Sequence, residues 1–319
     1  MKKFIFLITP FLILLLFFSV FTTPLVTSKF IRTEPISQLS DVNLSFSVLG
    51  DVHGDTVKLE EALRDLHTVK SGMDAMVLNG DIVDQGTKEQ YRAIEKCLKE
   101  NNSLLPKVLI KNIGNHEFYA DKKGLNTPAD VYNLISRYLA FSGEKAVYHD
   151  TWIKGYHFIS LGSEVSNTPG LGTAQAFISP YQQQWLKQKL AERYQPNKPI
   201  FVFLHQHLSS NNQNAIHGWP GVKQDAEIKK ILSQYPEVFL FTSHTHTSLR
   251  SVNVTPNQPF TMVHTGAVKY DFILESNGER KIVDDNQGLY IEVHENRVVI
   301  KGRDFKSKSW IFSWSSSFI

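Results

Sequence analysis

The chain has 319 residues, of which 42% are hydrophobic and 20% are charged, with a formal net charge of +3. This composition is that of a globular protein with one sizeable core or two small domains. No block of basic residues of the kind that marks nucleic-acid binding is present, so no nucleic-acid partner is expected. Cys97 is the one cysteine, which excludes a disulfide within the chain.

Residues 1–28 predict export. Lys2 and Lys3 precede an apolar stretch from Phe4 to Phe21, which is the order of regions in a signal peptide. The stretch is long for a signal peptide and close to the minimum for a membrane span, so both a signal peptide and an N-terminal membrane anchor remain open. Export without disulfides fits a bacterial envelope or secreted protein. We expect an extracellular or cell-envelope location, with membrane contact only through this segment.

After a linker over residues 29–44, strand and helix signals alternate. Short apolar runs predict strands at 45–49, 75–78, 108–110, 157–161, 200–204 and 238–242. Helical periodicity predicts helices at 56–69, 88–100, 129–139, 181–193 and 225–234. From Ser248 the period shifts toward two, and residues 289–294 and 297–302 predict a hairpin. We expect one catalytic domain over residues 45–305 with a β-rich C-terminal part. A tail over 306–319 follows, and its aromatic residues are expected to pack on the body as a terminal strand.

Polar residues that can bind metals recur where the predicted strands end. Asp51 and His53 follow the first strand, and such side chains are costly to bury. One occurrence is explained by an ordinary turn. Four more strands are followed by Asn79-Gly80-Asp81-Ile82-Val83-Asp84, Gly114-Asn115-His116-Glu117, His205-Gln206-His207 and Ser243-His244-Thr245-His246. Because the carboxyl ends of strands form the ligand crevice of α/β sheets, one shared site is predicted.

The residue types at these strand ends favour a metal site. Carboxylates, imidazoles and an amide oxygen suit Zn²⁺, Mn²⁺ or Fe better than an all-oxygen calcium cage. The candidates are too many for one tetrahedral ion, and thiolates are missing from the set. Two metals about 3.5–4 Å apart use such ligands naturally. A pair of divalent or mixed-valence ions is predicted, with Mn, Fe and Zn all open.

In these motifs the sequence resembles the calcineurin-like metallophosphoesterases. The family pattern is D-x-H, G-D-x-x-D, G-N-H-[DE], a lone His and G-H-x-H. It is matched in order by Asp51-Val52-His53, Gly80-Asp81-Ile82-Val83-Asp84, Gly114-Asn115-His116-Glu117, His205 and Ser243-His244-Thr245-His246. Ser243 replaces the usual glycine, which is a backbone position, so the metal site should survive. The resemblance implies an α/β fold, a four-layer α-β-β-α sandwich of two mixed sheets flanked by helices, and metal-dependent hydrolysis of phosphoric esters.

The resemblance also implies roles for individual residues. Two ions would share the bridging ligand Asp81, the first also held by Asp51, His53 and His246 and the second by Asn115, His205 and His244. A hydroxide between the ions would be the nucleophile. His116 resembles the catalytic histidine that protonates the leaving group. Asp84 resembles the aspartate that orients this histidine and keeps it cationic.

The substrate is less well specified than the metal ligands. A phosphate ester is expected, but phosphatase and phosphodiesterase activities both remain open because a dimetal core serves both. His207, beside His205, and His217, in the long loop over residues 209–222, are candidate substrate-binding residues. The oligomeric state is also open.

Two other functions are compatible with the sequence. One is a catalytically silent binding module on the same fold, although such modules lose ligands or the catalytic histidine and this chain has the full set. The other is a membrane-tethered phosphodiesterase acting on lipid head groups, which release of the protein into the medium would argue against.

Overall fold

The structure is a computed structural model that describes residues 41–120, 124–209, 215–216, 219–251, 254–256, 259–275 and 279–317. The predicted targeting segment, the first part of the linker and His217 lie outside the described residues. The described residues belong to one compact unit, Ser40–Ile319. No helix among them has the length and apolar character that crossing a membrane requires.

The first of two large sheets carries three of the predicted strand ends. Its six strands are β1 (Leu44–Leu49), β2 (Ala75–Asn79), β3 (Val108–Asn112), β14 (Gln287–Val293), β15 (Arg297–Asp304) and β16 (Ser309–Ser317). They lie in the order β16-β15-β14-β1-β2-β3. β1, β2 and β3 run parallel, whereas β14 pairs antiparallel with β1, so the sheet is mixed.

The second sheet carries the other two strand ends. Its strands are β4 (His149–Ile153), β5 (Tyr156–Ser160), β6 (Ile200–Phe203), β9 (Val238–Thr242), β10 (Val254–Thr255) and β11 (Thr261–His264). The order is β10-β11-β9-β6-β5-β4, with β5, β6, β9 and β11 parallel. Two small hairpins complete the described strands: β7 (Ala215–Ile216) with β8 (Trp219–Pro220), and β12 (Asp271–Leu274) with β13 (Arg280–Val283).

Helices cover the outer face of each sheet. They are α1 (Thr56–Val69), α2 (Lys88–Glu100), α3 (Pro128–Ser142), α4 (Pro180–Ala191) and α5 (Asp225–Leu232). Asp55 and Thr87 cap α1 and α2 by accepting backbone N–H bonds, and Thr127 with Asp130 forms a capping box on α3. The apolar sides of α1, α2 and α3 pack on the first sheet, and those of α4 and α5 on the second.

The inner faces of the two sheets pack against each other through aromatic residues. Phe46 of β1 lies 5.0 Å from Phe158 and 4.8 Å from Phe201 between ring centroids, in edge-to-face contacts. Each such pair contributes about 0.5–1.5 kcal/mol beyond the area that it buries. The result is a four-layer α-β-β-α sandwich, which confirms the predicted fold class.

Local periodicity predicted some elements better than others. α1 and α2 have the predicted bounds because strong caps mark their starts. β4 and the β12–β13 hairpin were not predicted, since their half-buried, mixed-polarity residues give no clear period. The C-terminal segment contains the expected terminal strand, since Ser309–Ser317 pairs along β15 and belongs to the first sheet.

A buried polar network ties the two sheets together beneath their carboxyl edges. The Ser243 hydroxyl, directly after β9, accepts from Asn79 Nδ2 of β2 at 2.9 Å and lies 2.7 Å from Thr265 Oγ1. Asn112 of β3 donates to Asn79 Oδ1 at 3.0 Å. A side chain at Gly50 would collide with Ser243, so the glycine makes room for the hydroxyl. The serine that departs from the family pattern therefore joins the sheets.

Candidate metal centre

The candidate ligands leave the strands in a strained backbone conformation. The φ angles are positive at Asp51 (54°), His53 (46°), Asp81 (49°), His244 (72°) and His246 (50°). This conformation costs residues other than glycine about 1–3 kcal/mol each and persists only where surrounding contacts impose it. One such contact is the 2.8 Å hydrogen bond from the His53 N–H to the Asp81 carbonyl. Strain of this kind is typical of functional sites.

The structure brings the predicted ligands of both sheets into one buried cluster. Asp51 Oδ1 lies 3.3 Å from His246 Nε2, which lies 2.9 Å from His53 Nε2. On the other side, Asp81 Oδ2 lies 3.1 Å from His205 Nε2. Three groups have ligand atoms within 4.8 Å of one another: Asp51, His53 and His246; His53, Asp81 and His116; and Asp81, His205 and His244. Asp81 is a member of two of them, including the one with His205 and His244.

Three of the histidines direct Nε2 toward the centre because Nδ1 is held from behind. His205 Nδ1 lies 2.9 Å from the Asn79 carbonyl, His246 Nδ1 lies 2.8 Å from the Tyr270 carbonyl, and His53 Nδ1 lies 3.2 Å from Asp84 Oδ1. An oxygen behind Nδ1 fixes the proton there and leaves the Nε2 lone pair for a ligand. Metal-binding histidines commonly have this arrangement.

Several buried atoms of the cluster that could bind a metal have no hydrogen-bond partner among the described residues: Asp51 Oδ1, Asn115 Oδ1, His205 Nε2 and His244 Nε2. The short approach of His205 Nε2 to Asp81 lacks the alignment of a hydrogen bond. An unsatisfied buried polar atom costs about 1–3 kcal/mol. These atoms are two oxygens that follow strands of the first sheet and two imidazole nitrogens that follow strands of the second, so the residues fit a site for metal cations.

The electrostatics of the cluster favour bound cations. Burial alone would raise the pKa of Asp51, but His246 and His205 outweigh it and hold that pKa well below its ordinary value. Burial, aided by the neighbouring His205, lowers the pKa of His244 to about 3. Burial also lowers the pKa of His53, yet the nearby carboxylates of Asp51, Asp84 and Asp81 outweigh it and raise that pKa to about 10. The aspartate is therefore anionic, and binding of a metal by His53 requires the loss of its proton.

His116 and Asp84 contact each other differently from the prediction. The backbone carbonyl of Asp84, rather than its carboxylate, accepts from His116 Nδ1 at 2.9 Å. The carboxylate Oδ1 is 3.6 Å from His116 Nδ1 and 3.2 Å from His53 Nδ1. The hydrogen bond from His53 lowers the pKa of Asp84 to about 2, whereas burial lowers the pKa of His116 despite the nearby Asp81. Asp84 thus orients both histidines, but it does not raise the pKa of His116 above its ordinary value.

Glu117 was given no role from sequence, and the structure places it under the centre. Its fully buried carboxylate accepts backbone N–H bonds from Gly114 (2.7 Å), Ile82 (2.8 Å) and Asp81 (3.1 Å). Burial, with Asp81 beside it, raises the pKa of Glu117 to about 7. The carboxylate ties the loop after β2 to the loop after β3, which holds Asn115. Glu117 is the last residue of the G-N-H-E motif, but its partners Asp81 and Ile82 are more than thirty residues away in the chain.

The structure describes one of the two candidate substrate-binding residues, His207, and not the other, His217. His207 is buried, with its ring 5.9 Å from that of His244, and it packs against Gly221. It therefore lies next to a candidate ligand, and its contact with substrate stays a prediction. His217 lies outside the described residues.

Aromatic side chains that sequence analysis did not single out surround the cluster. Tyr270 lies 4.4 Å from His246, and Tyr119 lies 4.3 Å from His116, between ring centroids. Trp219 lies 5.6 Å from His244. Trp219 belongs to the long loop predicted to matter for substrate choice, whereas the tyrosines carried no sequence signal.

The family model of the calcineurin-like phosphoesterases matches residues 44–248, roughly two thirds of the chain. The chain therefore belongs to this family. It is a hydrolase of phosphate esters with a cluster of residues that can hold metal ions.

Three similar proteins add detail. The chain is 26% identical over 225 residues to a 3',5'-cyclic-nucleotide phosphodiesterase of Nostoc sp., covering 67% of this chain and 72% of that protein. The structure of a purple acid phosphatase from yellow lupin (Lupinus luteus) seeds matches with a TM-score of 0.59 and 13% identity, covering 88% of this chain and 54% of that one. The chain thus spans about half of the lupin protein. GAP50, the anchor in the inner membrane complex of Plasmodium, matches with a TM-score of 0.59 and 13% identity over 86% of this chain and 89% of that one. At these identities both structures show the fold alone.

Proposed function

We propose that this chain is a phosphodiesterase that acts outside the cytoplasm and holds two divalent metal ions at its strand ends. The observation that carries the proposal is the set of buried donor atoms without hydrogen-bond partners among the described residues: Asp51 Oδ1, Asn115 Oδ1, His205 Nε2 and His244 Nε2. Protein interiors seldom leave such atoms unsatisfied, and a cation is the partner that oxygen and imidazole nitrogen atoms can share.

The proposed ligands fall into two sets that meet at Asp81. Asp51, His53 and His246 form the first set, and Asn115, His205 and His244 form the second. When bound, divalent ions at such a site lower the pKa of water and neutralise charge on phosphoryl oxygens. The protein keeps Asp51 and Asp81 anionic and directs the Nε2 atoms of His205 and His246 inward, so these ligands are oriented before any cation arrives.

His116 is the proposed proton donor. Its side chain is 24% exposed, whereas Asp81 beside it is 2% exposed, so substrate can reach the histidine. The Asp84 carbonyl holds Nδ1 at 2.9 Å and leaves Nε2, 3.9 Å from Asp81 Oδ2, on the side of the cluster. The negative charge of a bound ester favours the protonated ring, which then gives its Nε2 proton to the leaving oxygen.

Two observations support the finer parts of the proposal. The similarity to a protein named as a 3',5'-cyclic-nucleotide phosphodiesterase in Nostoc sp. supports a diester, rather than a monoester, as the substrate of this chain. The lysines and the apolar stretch at the start of the chain favour action outside the cytoplasm.

The full chain, purified and stripped of metal, tests the proposal. Hydrolysis of bis-para-nitrophenyl phosphate and para-nitrophenyl phosphate is measured with and without added Mn²⁺. We expect activity that depends on the metal, with the diester preferred. Asp81→Asn, which weakens both ligand sets, should lower the rate by at least about 100-fold.

Circular dichroism and metal analysis show whether each protein is folded and loaded. Loss of metal without loss of fold in Asp81→Asn is the expected control result. A folded, metal-loaded wild-type chain that hydrolyses neither ester would contradict the proposal and favour a binding role for the fold.

A further inference from the structure

One side of the cluster is lined by aromatic rings from two small hairpins. Trp219 of β8 lies 5.6 Å from His244 and 6.1 Å from His246 between ring centroids. Phe272 of β12 meets Trp219 edge-on at 5.8 Å, and Tyr270 lies 5.5 Å from Phe272. These three residues, with Arg280 of β13, are called the aromatic wall below.

The aromatic wall differs from the core. Its members are half-buried, although they pack against histidines that are almost fully buried. Among the described residues, none of its three rings belongs to the apolar clusters that hold the layers of the sandwich together. Large rings that are left partly exposed beside a polar cluster are typical of ligand sites.

Arg280 gives the wall a positive charge. Its guanidinium lies 5.2 Å from the centroid of the Trp219 ring and 5.9 Å from that of Phe272, within the range of cation–π contacts. Among the described residues, no carboxylate lies within ion-pair distance of this guanidinium. The wall therefore combines flat apolar surface with a cation, which suits a planar group attached to an anionic ester.

Trp219 and His116 contact different histidines of the cluster. His116 contacts His53 (4.3 Å) and Tyr119, whereas Trp219 contacts His244 and His246, and Tyr270 lies between the two pairs, near both His53 and His246. An ester whose leaving oxygen meets His116 can therefore hold another part of the molecule against Trp219.

We propose that the aromatic wall is the subsite for the nucleobase of a nucleotide-type phosphodiester. This inference rests on the proposed phosphodiesterase activity and names its class of substrate. Stacking on an aromatic side chain is available to every base because each base has a π-face. A cationic lipid head group can also bind aromatic rings, but Arg280 already lies over Trp219 and Phe272 and would repel it, so the observations favour a nucleotide over a lipid.

Two ligands that differ only by the base test the subsite at equilibrium. Binding of AMP and of ribose 5-phosphate to the Mn²⁺-loaded full chain is measured by isothermal titration calorimetry. Both carry the same sugar phosphate, so the ratio of their dissociation constants isolates the base. We expect AMP to bind at least about 10-fold more tightly, within the range of base–aromatic stacking.

Substitutions of Trp219 test whether the preference for AMP over ribose 5-phosphate arises from the aromatic wall. Trp219→Leu should bring the ratio close to one, and Trp219→Phe should restore most of it. Trp310→Leu is the matched control, since Trp310 lies in β16 against Tyr290 and Arg303 and should leave the ratio unchanged. Thermal unfolding of each variant verifies the fold.

Equal affinities in the wild type, no binding of AMP, or a preference that survives in Trp219→Leu would each overturn the subsite. Failure of the proposed catalysis looks different. A chain that prefers AMP through Trp219 but hydrolyses neither 3',5'-cyclic AMP nor bis-para-nitrophenyl phosphate keeps the subsite and loses the activity. A chain that hydrolyses diesters but binds AMP no more tightly than ribose 5-phosphate keeps the proposed activity and loses the subsite.

Discussion

The strand-end cluster and the aromatic wall lie side by side but are built in opposite ways. Asp51, Asp81 and His205 are nearly inaccessible to solvent and sit at the ends of central parallel strands. Trp219 and Phe272 are half-buried and come from two-stranded hairpins outside the large sheets. The proposed chemistry would therefore reside on the rigid scaffold, whereas the proposed base subsite lies on connections that can vary.

The forces that hold the two regions differ accordingly. Backbone hydrogen bonds, buried carboxylates and the Ser243 network fix the cluster from several directions. The wall is held by ring contacts and two cation–π contacts, with backbone hydrogen bonds that join Phe272 to His246 and Ser248. Substitutions beneath the cluster should therefore change stability or turnover strongly, whereas substitutions in the wall should mainly change affinity.

The largest effect is expected at the open end of the cluster. His116→Gln should lower kcat for 3',5'-cyclic AMP, whose leaving group is a poor alkoxide, by about 10²–10³-fold, because a general acid is lost, while KM stays within about 3-fold. Steady-state kinetics measure both constants, with His67→Gln in α1 as the control. A change in KM without a change in kcat would show that His116 does not donate the proton to the leaving oxygen.

Glu117→Gln should give the next largest effect. The amide can accept with one oxygen only, and its NH₂ group would face backbone N–H donors, so we expect a loss of about 2–3 kcal/mol in the free energy of unfolding. Urea unfolding measures this loss. Glu60→Gln, which alters an exposed pair with Arg64, should cost less than about 0.5 kcal/mol. Equal losses in the two variants would show that Glu117 does not hold the loops.

Ser243→Ala should have a smaller effect that is limited to stability. Removing the hydroxyl takes away the nearer of the two acceptors of Asn79 Nδ2, the other being the Phe241 carbonyl at 3.4 Å, and costs about 1–2 kcal/mol of unfolding free energy. Because Ser243 is not a candidate ligand, kcat should change by less than about 3-fold. Ser136→Ala, an exposed hydroxyl on α3, is the control for urea unfolding. A collapse of kcat in a stable Ser243→Ala protein would contradict this separation.

Arg280→Gln should give the smallest effect. Loss of the cation from the wall should raise KM for an anionic diester by about 3-fold and leave kcat unchanged, and added salt should reduce the difference. Lys281→Gln is a close control because Lys281 is the next residue on β13 and is mostly exposed. If both variants raise KM equally, the effect is one of general charge rather than of the wall.

The sequence predicted the cluster well because each of its parts is local. An apolar run followed by Asp or His marks a strand end, and parallel strands bring their ends to one edge. Helix bounds were predictable where a cap such as Asp55 or Thr87 marks the start.

The remaining features depend on contacts between distant segments. Glu117 acts on the N–H groups of a loop more than thirty residues away, and Trp219 meets Phe272 only in the folded chain. The hydrogen bond from His116 to the carbonyl of Asp84 rather than to its carboxylate depends on the path of the backbone after β2. No local period or motif encodes such contacts.

The number of metal ions bound per folded chain tests the proposed two-metal centre most directly. Metal-free protein is dialysed against Mn²⁺ and counted by mass spectrometry of the native state, together with Asp81→Asn and Asn115→Ala. We expect two ions in the wild type, one in Asn115→Ala, and weakened binding of both in Asp81→Asn. A folded wild-type chain that binds a single ion, or none, would rule out the two-metal centre.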